Sequence, residues 1–84
     1  MHDIFFVCRS VTAAQRGRDV LLGAGIRCAM MRAPRAAAPS GCAYALAVKQ
    51  TELKAAAFAL TRAAVAFTGP FLRLKNGEYR ELQL

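Results

Sequence analysis

The 84-residue sequence contains few of the side chains from which catalytic and metal sites are usually built. Histidine occurs once, at position 2, and the five carboxylates are scattered along the chain rather than paired. Without paired carboxylates or a histidine beside a nucleophile, the sequence predicts neither acid–base catalysis nor a metal site. The stretch "GAGIRC" follows a predicted helix, whereas a dinucleotide-binding loop precedes one. We therefore expect a protein that is not an enzyme and that uses no metal ion and no cofactor.

The chain also lacks a long apolar run. The longest stretch without a charged residue, Ala36 to Val48, is interrupted by Pro39, Ser40 and Gly41. A membrane-spanning helix needs about 20 consecutive apolar residues, so no membrane span is expected. Asp3 breaks the N-terminal apolar segment early, unlike the pattern of a signal peptide. These features predict a cytoplasmic protein with reduced thiols.

Cysteine is scarce as well, and its spacing limits the chemistry available. Cys8, Cys28 and Cys42 form no C-x-x-C pair, so they predict neither a zinc ribbon nor a thioredoxin-type motif. Cys8 and Cys28 lie within predicted strands, where packing in the core is the expected role. Cys42 instead follows Pro39-Ser40-Gly41, at the end of a segment rich in proline and arginine. Its position leaves two roles open, a buried strand residue or an exposed reactive thiol.

The sequence contains few acidic residues. Twelve lysines and arginines against five aspartates and glutamates give a formal net charge of +7. Such an excess favours contact with nucleic acid, an acidic protein or a small anion, and it also serves solubility. The basic residues do not form a block of five or more, so no basic tail is predicted.

Apolar periodicity predicts the order of helices and strands. Strand patterns cover residues 3–8, 26–32, from 42 or 43 to 49, 65–67 and 71–75, and helical patterns cover 10–25 and 51–64. The order β-α-β-β-α-β is that of a ferredoxin-like α+β sandwich, an antiparallel sheet with both helices on one face. Asn76-Gly77, between "FLRLK" and "EYREL", predicts a two-residue turn and hence a C-terminal β-hairpin extension. We expect one domain over residues 1–84.

Three local features make more specific predictions. Gly17 interrupts the first helical pattern, and we expect it to mark a close contact between helix and sheet. Gly25 occupies the position of a left-handed helix C-cap. The third strand alternates large residues with alanine, which predicts that the helices lie against its alanine face. The large residues are Tyr44, Leu46 and Val48.

Several short segments point together to a known family. They are an N-terminal apolar strand, the helix start in "SVTAAQRGRDVLLGAGI", the loop "RAPRAAAPSGC", the cysteine-led strand "GCAYAL" and the closing "KNGEYREL". Across these segments, at residues 4–82, the sequence resembles the small bacterial family named putative Se/S carrier protein-like. Members of that family commonly have glycine directly after the cysteine, where this chain has Ala43.

The resemblance implies a sulfur or selenium carrier that holds a persulfide or selenopersulfide on Cys42. Cys42 would take the atom from a donor such as a cysteine desulfurase and pass it to an acceptor enzyme. A carrier thiol needs exposure and nearby positive charge, because cations lower the pKa of a thiol. The residues expected to stabilise the thiolate are Arg32, Arg35, Ser40 and Gly41, with the backbone N–H groups of Gly41 and Cys42 as a candidate anion-binding nest.

Other interpretations stay open beside the carrier. Cys8 is a candidate resolving thiol if it lies at the end of its strand, near the loop. Ferredoxin-like sheets can bind RNA through exposed aromatic residues framed by basic ones, and Phe5 and Tyr44 are the candidate aromatic residues. The basic residues would be Arg9, Arg27, Arg32, Arg35 and Lys49. A structural module that forms homo-oligomers is the third interpretation, because association would bury more surface of so small a chain.

Overall fold

The computed structural model describes residues 3–35 and 43–83, which form an antiparallel sheet with helices on one side. The elements in chain order are β1 (Ile4–Cys8), α1 (Val11–Gly23), β2 (Ala29–Arg32), β3 (Tyr44–Val48), one 3₁₀ turn (Gln50–Glu52), α2 (Leu53–Arg62), β4 (Thr68–Arg73) and β5 (Tyr79–Glu81). The strands pair in the order β2-β3-β1-β4-β5, and each neighbouring pair is antiparallel. The predicted α+β class with an antiparallel sheet is confirmed.

β1 is the central strand, and all five of its residues are buried. Successive side chains of a strand point to opposite faces, so a strand that is apolar at every position must be covered on both sides. Ile4 and Phe6 join the core that contains Leu21 of α1 and Leu60 of α2. Phe5 lies on the other face with Ala45 and Ala47 of β3. The prediction of a central first strand is therefore confirmed.

The predicted orientation of β3 is wrong. Leu46 and Val48 face the helices, whereas Ala45 and Ala47 lie on the opposite face of the sheet. The large side chains fill the space between the sheet and the helices, and the small residues that permit close approach are on the helices themselves. Those buried small residues are Ala14, Gly17, Ala56 and Ala57.

Side-chain and backbone caps set the ends of α1. The Ser10 hydroxyl accepts a hydrogen bond from the Ala13 N–H at 3.1 Å, which satisfies one of the otherwise unpaired donors of the first turn. Gly25 has φ +80°, and the Ile26 N–H donates to the Leu21 carbonyl at 2.9 Å. The predicted left-handed cap is confirmed. Ile26 belongs to this cap, and β2 begins at Ala29, three residues later than predicted.

β4 is one strand where two segments were expected. It runs from Thr68 to Arg73 and includes Gly69 and Pro70. The β1–β4 register changes here: Phe5 pairs with Phe71, but Val7 pairs with Thr68. The strand β4 thus has one residue more than β1 between these pairs, a β-bulge, and bulges are among the few places where a sheet accepts proline.

The C-terminal hairpin is present, but its turn is longer than the predicted two residues. Arg73 pairs with Tyr79, and the Leu74 N–H donates to the Glu78 carbonyl at 2.7 Å. Only Gly77 in the turn has positive φ, +88°, whereas a two-residue type I′ turn needs positive φ at both central residues.

Within the described ranges, neither helix is long and apolar enough to cross a membrane.

Candidate functional site

The expected acceptor Cys42 belongs to the segment 36–42, and the structure describes the chain on both sides of it, up to Arg35 and from Ala43. Cys42, Ser40 and Gly41 lie outside the residues that the structure describes. The Ala33 N–H donates to the Ala43 carbonyl at 3.0 Å, so the two flanks run side by side where β2 and β3 pair. Ala43 is buried against Val7. Ala43, the residue directly after Cys42 in the chain, thus lies at this end of the sheet.

Arg32 and Arg35, two of the predicted thiolate-stabilising residues, are exposed on the N-terminal side of this segment. Arg32 is the last residue of β2 and pairs across the ladder with Tyr44, two residues after Cys42. Arg35 is also exposed. Among the residues described, neither arginine forms an ion pair with a carboxylate, the one such pair being that of Arg73 with Asp3. Their positive charge is therefore available to an anionic group near this flank.

Cys8 lies near the same end of the sheet but is buried. It is the last residue of β1 and pairs with Tyr44 of β3, so the expected position at a strand end is confirmed. Its side chain has no exposed surface, and burial raises the pKa of the Cys8 thiol. A higher pKa leaves less thiolate at neutral pH, and the thiolate is the nucleophile. The role of resolving thiol stays a prediction.

Cys28 precedes β2 and is half-buried against the main core. Burial raises the pKa of its thiol, and the opposing effect of the Arg18 charge is smaller. Packing, the role expected for Cys8 and Cys28, is confirmed for both. Across residues 3–35 and 43–83, the histidine, cysteine and carboxylate side chains form no group of three that could hold a metal ion.

The aromatic platform expected for RNA binding is absent at the predicted residues. Phe5 is only 1% exposed. The Tyr79 ring packs edge-on against it with the ring centroids 5.5 Å apart. The Arg73 guanidinium carbon lies 5.5 Å from the centroid of the Phe5 ring and covers it. Tyr44 pairs with Cys8 and packs on the helix-facing core, so it lies on the other face. The expectation that Phe5 and Tyr44 are exposed together is wrong. The five basic residues named with them, Arg9, Arg27, Arg32, Arg35 and Lys49, are exposed.

A cleft of about 370 Å³ opens between the end of β1, the start of α1 and the start of β4. Arg9 and Arg16 line it together with Thr68 and with apolar residues that include Ala13 and Phe67. Neither Arg16 nor Thr68 stands out in the sequence as a candidate site residue. No local pattern could have found them, because the lining residues come from two segments, 7–16 and 65–68, that are distant in the chain and meet only in the folded protein.

Comparison with known proteins places the chain in a family. The family model described as "Putative Se/S carrier protein-like" matches residues 3–70. No curated protein and no solved structure matches the chain. The matched region contains Cys42 with Arg32 and Arg35, and it extends from β1 into β4. The predicted resemblance is thus confirmed, and the chain belongs to the "Putative Se/S carrier protein-like" family.

Proposed function

We propose that this protein is a sulfur or selenium carrier in which Cys42 holds a persulfide or selenopersulfide. The observation that carries the proposal is the family match over residues 3–70, which includes Cys42. The family description supplies the chemistry, and the residues around the acceptor supply the physical support.

The choice of Cys42 is supported by the other two thiols. Burial raises the pKa of both Cys8 and Cys28, so neither is well suited to act as a thiolate at neutral pH. Arg32 and Arg35, exposed on the flank opposite Ala43, bring positive charge toward the segment that contains Cys42. Positive charge favours a thiolate and also the anionic terminal atom of a persulfide.

The transfer is an exchange in which no external oxidant or reductant takes part. The Cys42 thiolate attacks the terminal sulfur of a persulfide on the donor, for which a cysteine desulfurase is the expected class. A new S–S bond forms at Cys42, the donor S–S bond breaks, and the electron pair leaves with the donor thiolate. A thiolate of the acceptor enzyme then attacks the terminal sulfur on Cys42 and regenerates the Cys42 thiolate. The selenium version follows the same steps with selenium as the terminal atom.

The proposal includes the finer features expected of such a carrier. The protein has no enzymatic turnover of its own, is cytoplasmic and assembles as a homo-oligomer. Exposed apolar side chains on the helices, Phe58 at 63% and Leu22 at 52%, support association. The fold is ferredoxin-like over β1 to β4, with β5 as the C-terminal addition, which is supported by the element order β-α-β-β-α-β.

The first experiment compares the reactivity of the three thiols. Iodoacetamide alkylation rates are measured against pH, and mass spectrometry assigns each modified cysteine. We expect Cys42 to react well before Cys8 and Cys28, with a thiol pKa below the ordinary value of about 8.5. A Cys42 that reacts no faster than the two buried thiols would overturn its assignment as acceptor.

The second experiment tests transfer itself. The protein is incubated with a cysteine desulfurase and cysteine, and intact-protein mass spectrometry measures the addition of one sulfur atom. Addition is expected in the unmodified protein and in Cys28→Ser, and it should be lost in Cys42→Ser. Equal addition to Cys42→Ser would place the carrier thiol elsewhere, and a Cys42 that is reactive but never loaded would reject the carrier function.

A further inference from the structure

The cleft between β1, α1 and β4 has the chemistry of a binding site for a small organic anion. Two of its eight lining residues are arginines, none is acidic, and most of the others are apolar. Its volume of about 370 Å³ lies near the lower end of the range of about 300–1,000 Å³ that small-molecule sites occupy. The combination of a positive rim and an apolar wall is what a compact molecule with one anionic group requires.

The positive charge is held in place by the fold. The Arg16 guanidinium donates a hydrogen bond to the carbonyl of Ala63, the C-cap residue of α2. This contact fixes one nitrogen of Arg16 and leaves its remaining N–H groups for another acceptor. Arg9 follows β1 directly. Within the described part of the chain, neither arginine is paired with a carboxylate, so two like charges line one concavity without neutralisation.

The apolar wall is equally well positioned. The Phe67 ring stands edge-on against Phe6 with the ring centroids 4.9 Å apart, and Ala13 packs against the same helix-facing core. Both side chains are therefore part of the packed structure rather than mobile surface groups. Thr68 also lines the cleft, and a threonine hydroxyl can donate a hydrogen bond to an oxyanion.

We propose that this cleft binds a small organic anion whose phosphate or carboxylate contacts Arg9 and Arg16 and whose compact apolar body lies against Ala13 and Phe67. Guanidinium groups pair with both oxyanions through short, charge-assisted hydrogen bonds. The site goes beyond the carrier function and involves no cysteine, so the proposal is tested independently of the role of Cys42.

The test titrates the full-length protein with phenyl phosphate, benzoate and the uncharged benzyl alcohol. Amide shifts in two-dimensional NMR spectra locate binding and give its affinity. We expect shifts at Ala13, Phe67 and Thr68 with at least one of the two anions and none with benzyl alcohol. The stronger of the two anions identifies the preferred oxyanion.

Matched variants assign the contacts. The double variant Arg9→Gln, Arg16→Gln should weaken binding of the preferred anion at least about tenfold, since charge-assisted hydrogen bonds are lost. Arg27→Gln is the control, because Arg27 lies beyond the C-terminal end of the 13-residue α1, about 20 Å along the helix from its first residue, and does not line the cleft. Ala66→Leu, which adds bulk at the cleft wall without changing charge, should also abolish binding. It keeps the test valid if loss of the Arg16 contact disturbs α2.

Four outcomes would overturn the proposal. They are absence of shifts with both anions, equal binding of benzyl alcohol, equal weakening by Arg27→Gln, and full binding by Ala66→Leu. A single-stranded RNA oligonucleotide is titrated in parallel. If it shifts basic residues across the surface and displaces the anions, the cleft is part of a nucleic-acid surface and the small-molecule site is rejected. The Cys42→Ser variant should bind the anion unchanged, whatever the result of the sulfur-transfer experiments.

Discussion

Gly17 of α1 lies so close to Leu46 of β3 that a Cβ atom on Gly17 would stand 2.7 Å from Leu46 Cδ1. The same atom would stand 3.3 Å from Leu60 Cδ2 and 3.4 Å from Val65 Cγ1. Leu46 and Leu60 are fully buried, so their side chains have little room to move aside. Glycine is thus what lets α1 lie against the sheet and against α2 at this point.

The two glycines of α1 predict stability changes of opposite sign. Gly17→Ala should lower the free energy of unfolding by about 1 kcal/mol, because overpacking costs about 1–3 kcal/mol and outweighs the better helix propensity of alanine. Gly23→Ala is the control: its Cβ would meet nothing within 4 Å, so it should raise stability by about 0.5 kcal/mol. Urea unfolding measures both, and a Gly17→Ala variant as stable as Gly23→Ala would contradict the close contact.

The ends of the two helices predict a second pair of opposite effects. Ala64 has φ +58° and occupies in α2 the position that Gly25 occupies in α1. The Val65 N–H donates to the Leu60 carbonyl at 3.0 Å, so both helices end in the same left-handed cap. Positive φ strains alanine but not glycine, so Ala64→Gly should stabilise the protein by about 0.5–1 kcal/mol and Gly25→Ala should destabilise it similarly. Thermal unfolding of both variants checks this, and no gain from Ala64→Gly would show that the strain is absent.

Burial of Cys8 predicts a loss of stability at alkaline pH. Its thiol pKa is raised in the folded protein, so the folded state keeps the proton that an unfolded chain releases near pH 8.5. The contribution is complete below that pH, and it declines as pH rises from there through the higher folded pKa. Unfolding by urea is compared between pH 7 and pH 10 for the unmodified protein and Cys8→Val, which should show the smaller decline. Parallel pH curves would mean that the Cys8 thiol is not desolvated.

At Arg73, the last residue of β4, we expect packing on the Phe5 ring to stabilise the protein more than the ion pair with Asp3 does. Its guanidinium lies 3.3 Å from Asp3 Oδ1, with the two side chains 44% and 33% exposed, and it also covers the Phe5 ring. Exposed ion pairs contribute about 0.2–1 kcal/mol, so Asp3→Asn should cost less than about 0.5 kcal/mol. Arg73→Gln loses the cation–π contact as well and should cost about 0.5–1 kcal/mol more. Urea unfolding of both variants measures the difference, and equal losses would contradict it.

The helix ends show how far local sequence signals reach. Gly25 could be predicted as a cap because glycine is the residue that most readily adopts positive φ. Ala64 makes the same cap without glycine, so its conformation follows from tertiary contacts, with Leu60 and Val65 both held in the core. Gly69-Pro70 misled the prediction in the other direction, because a bulge in the β1–β4 ladder accommodates a dipeptide that usually ends a strand.

The candidate sites divide in the same way. Cys42 and its arginine-rich segment are adjacent in the chain, so the sequence alone could single them out and associate them with the family. The burial of Cys8 and of Phe5 depends on what packs above each face of the sheet, which alternation does not reveal. The cleft at Arg9 and Arg16 depends on residues that are distant in the chain.

The order of helices and strands, the central position of β1, the cap at Gly25 and the family can all be predicted from the sequence. They follow from apolar periodicity, glycine conformation and short motifs, all of which act over a few residues. Three properties emerge only in the folded chain: which face of β3 meets the helices, which thiols are desolvated and which arginines share a cleft. Those properties depend on side chains brought together from distant segments, where filling the core at high density outweighs local preference.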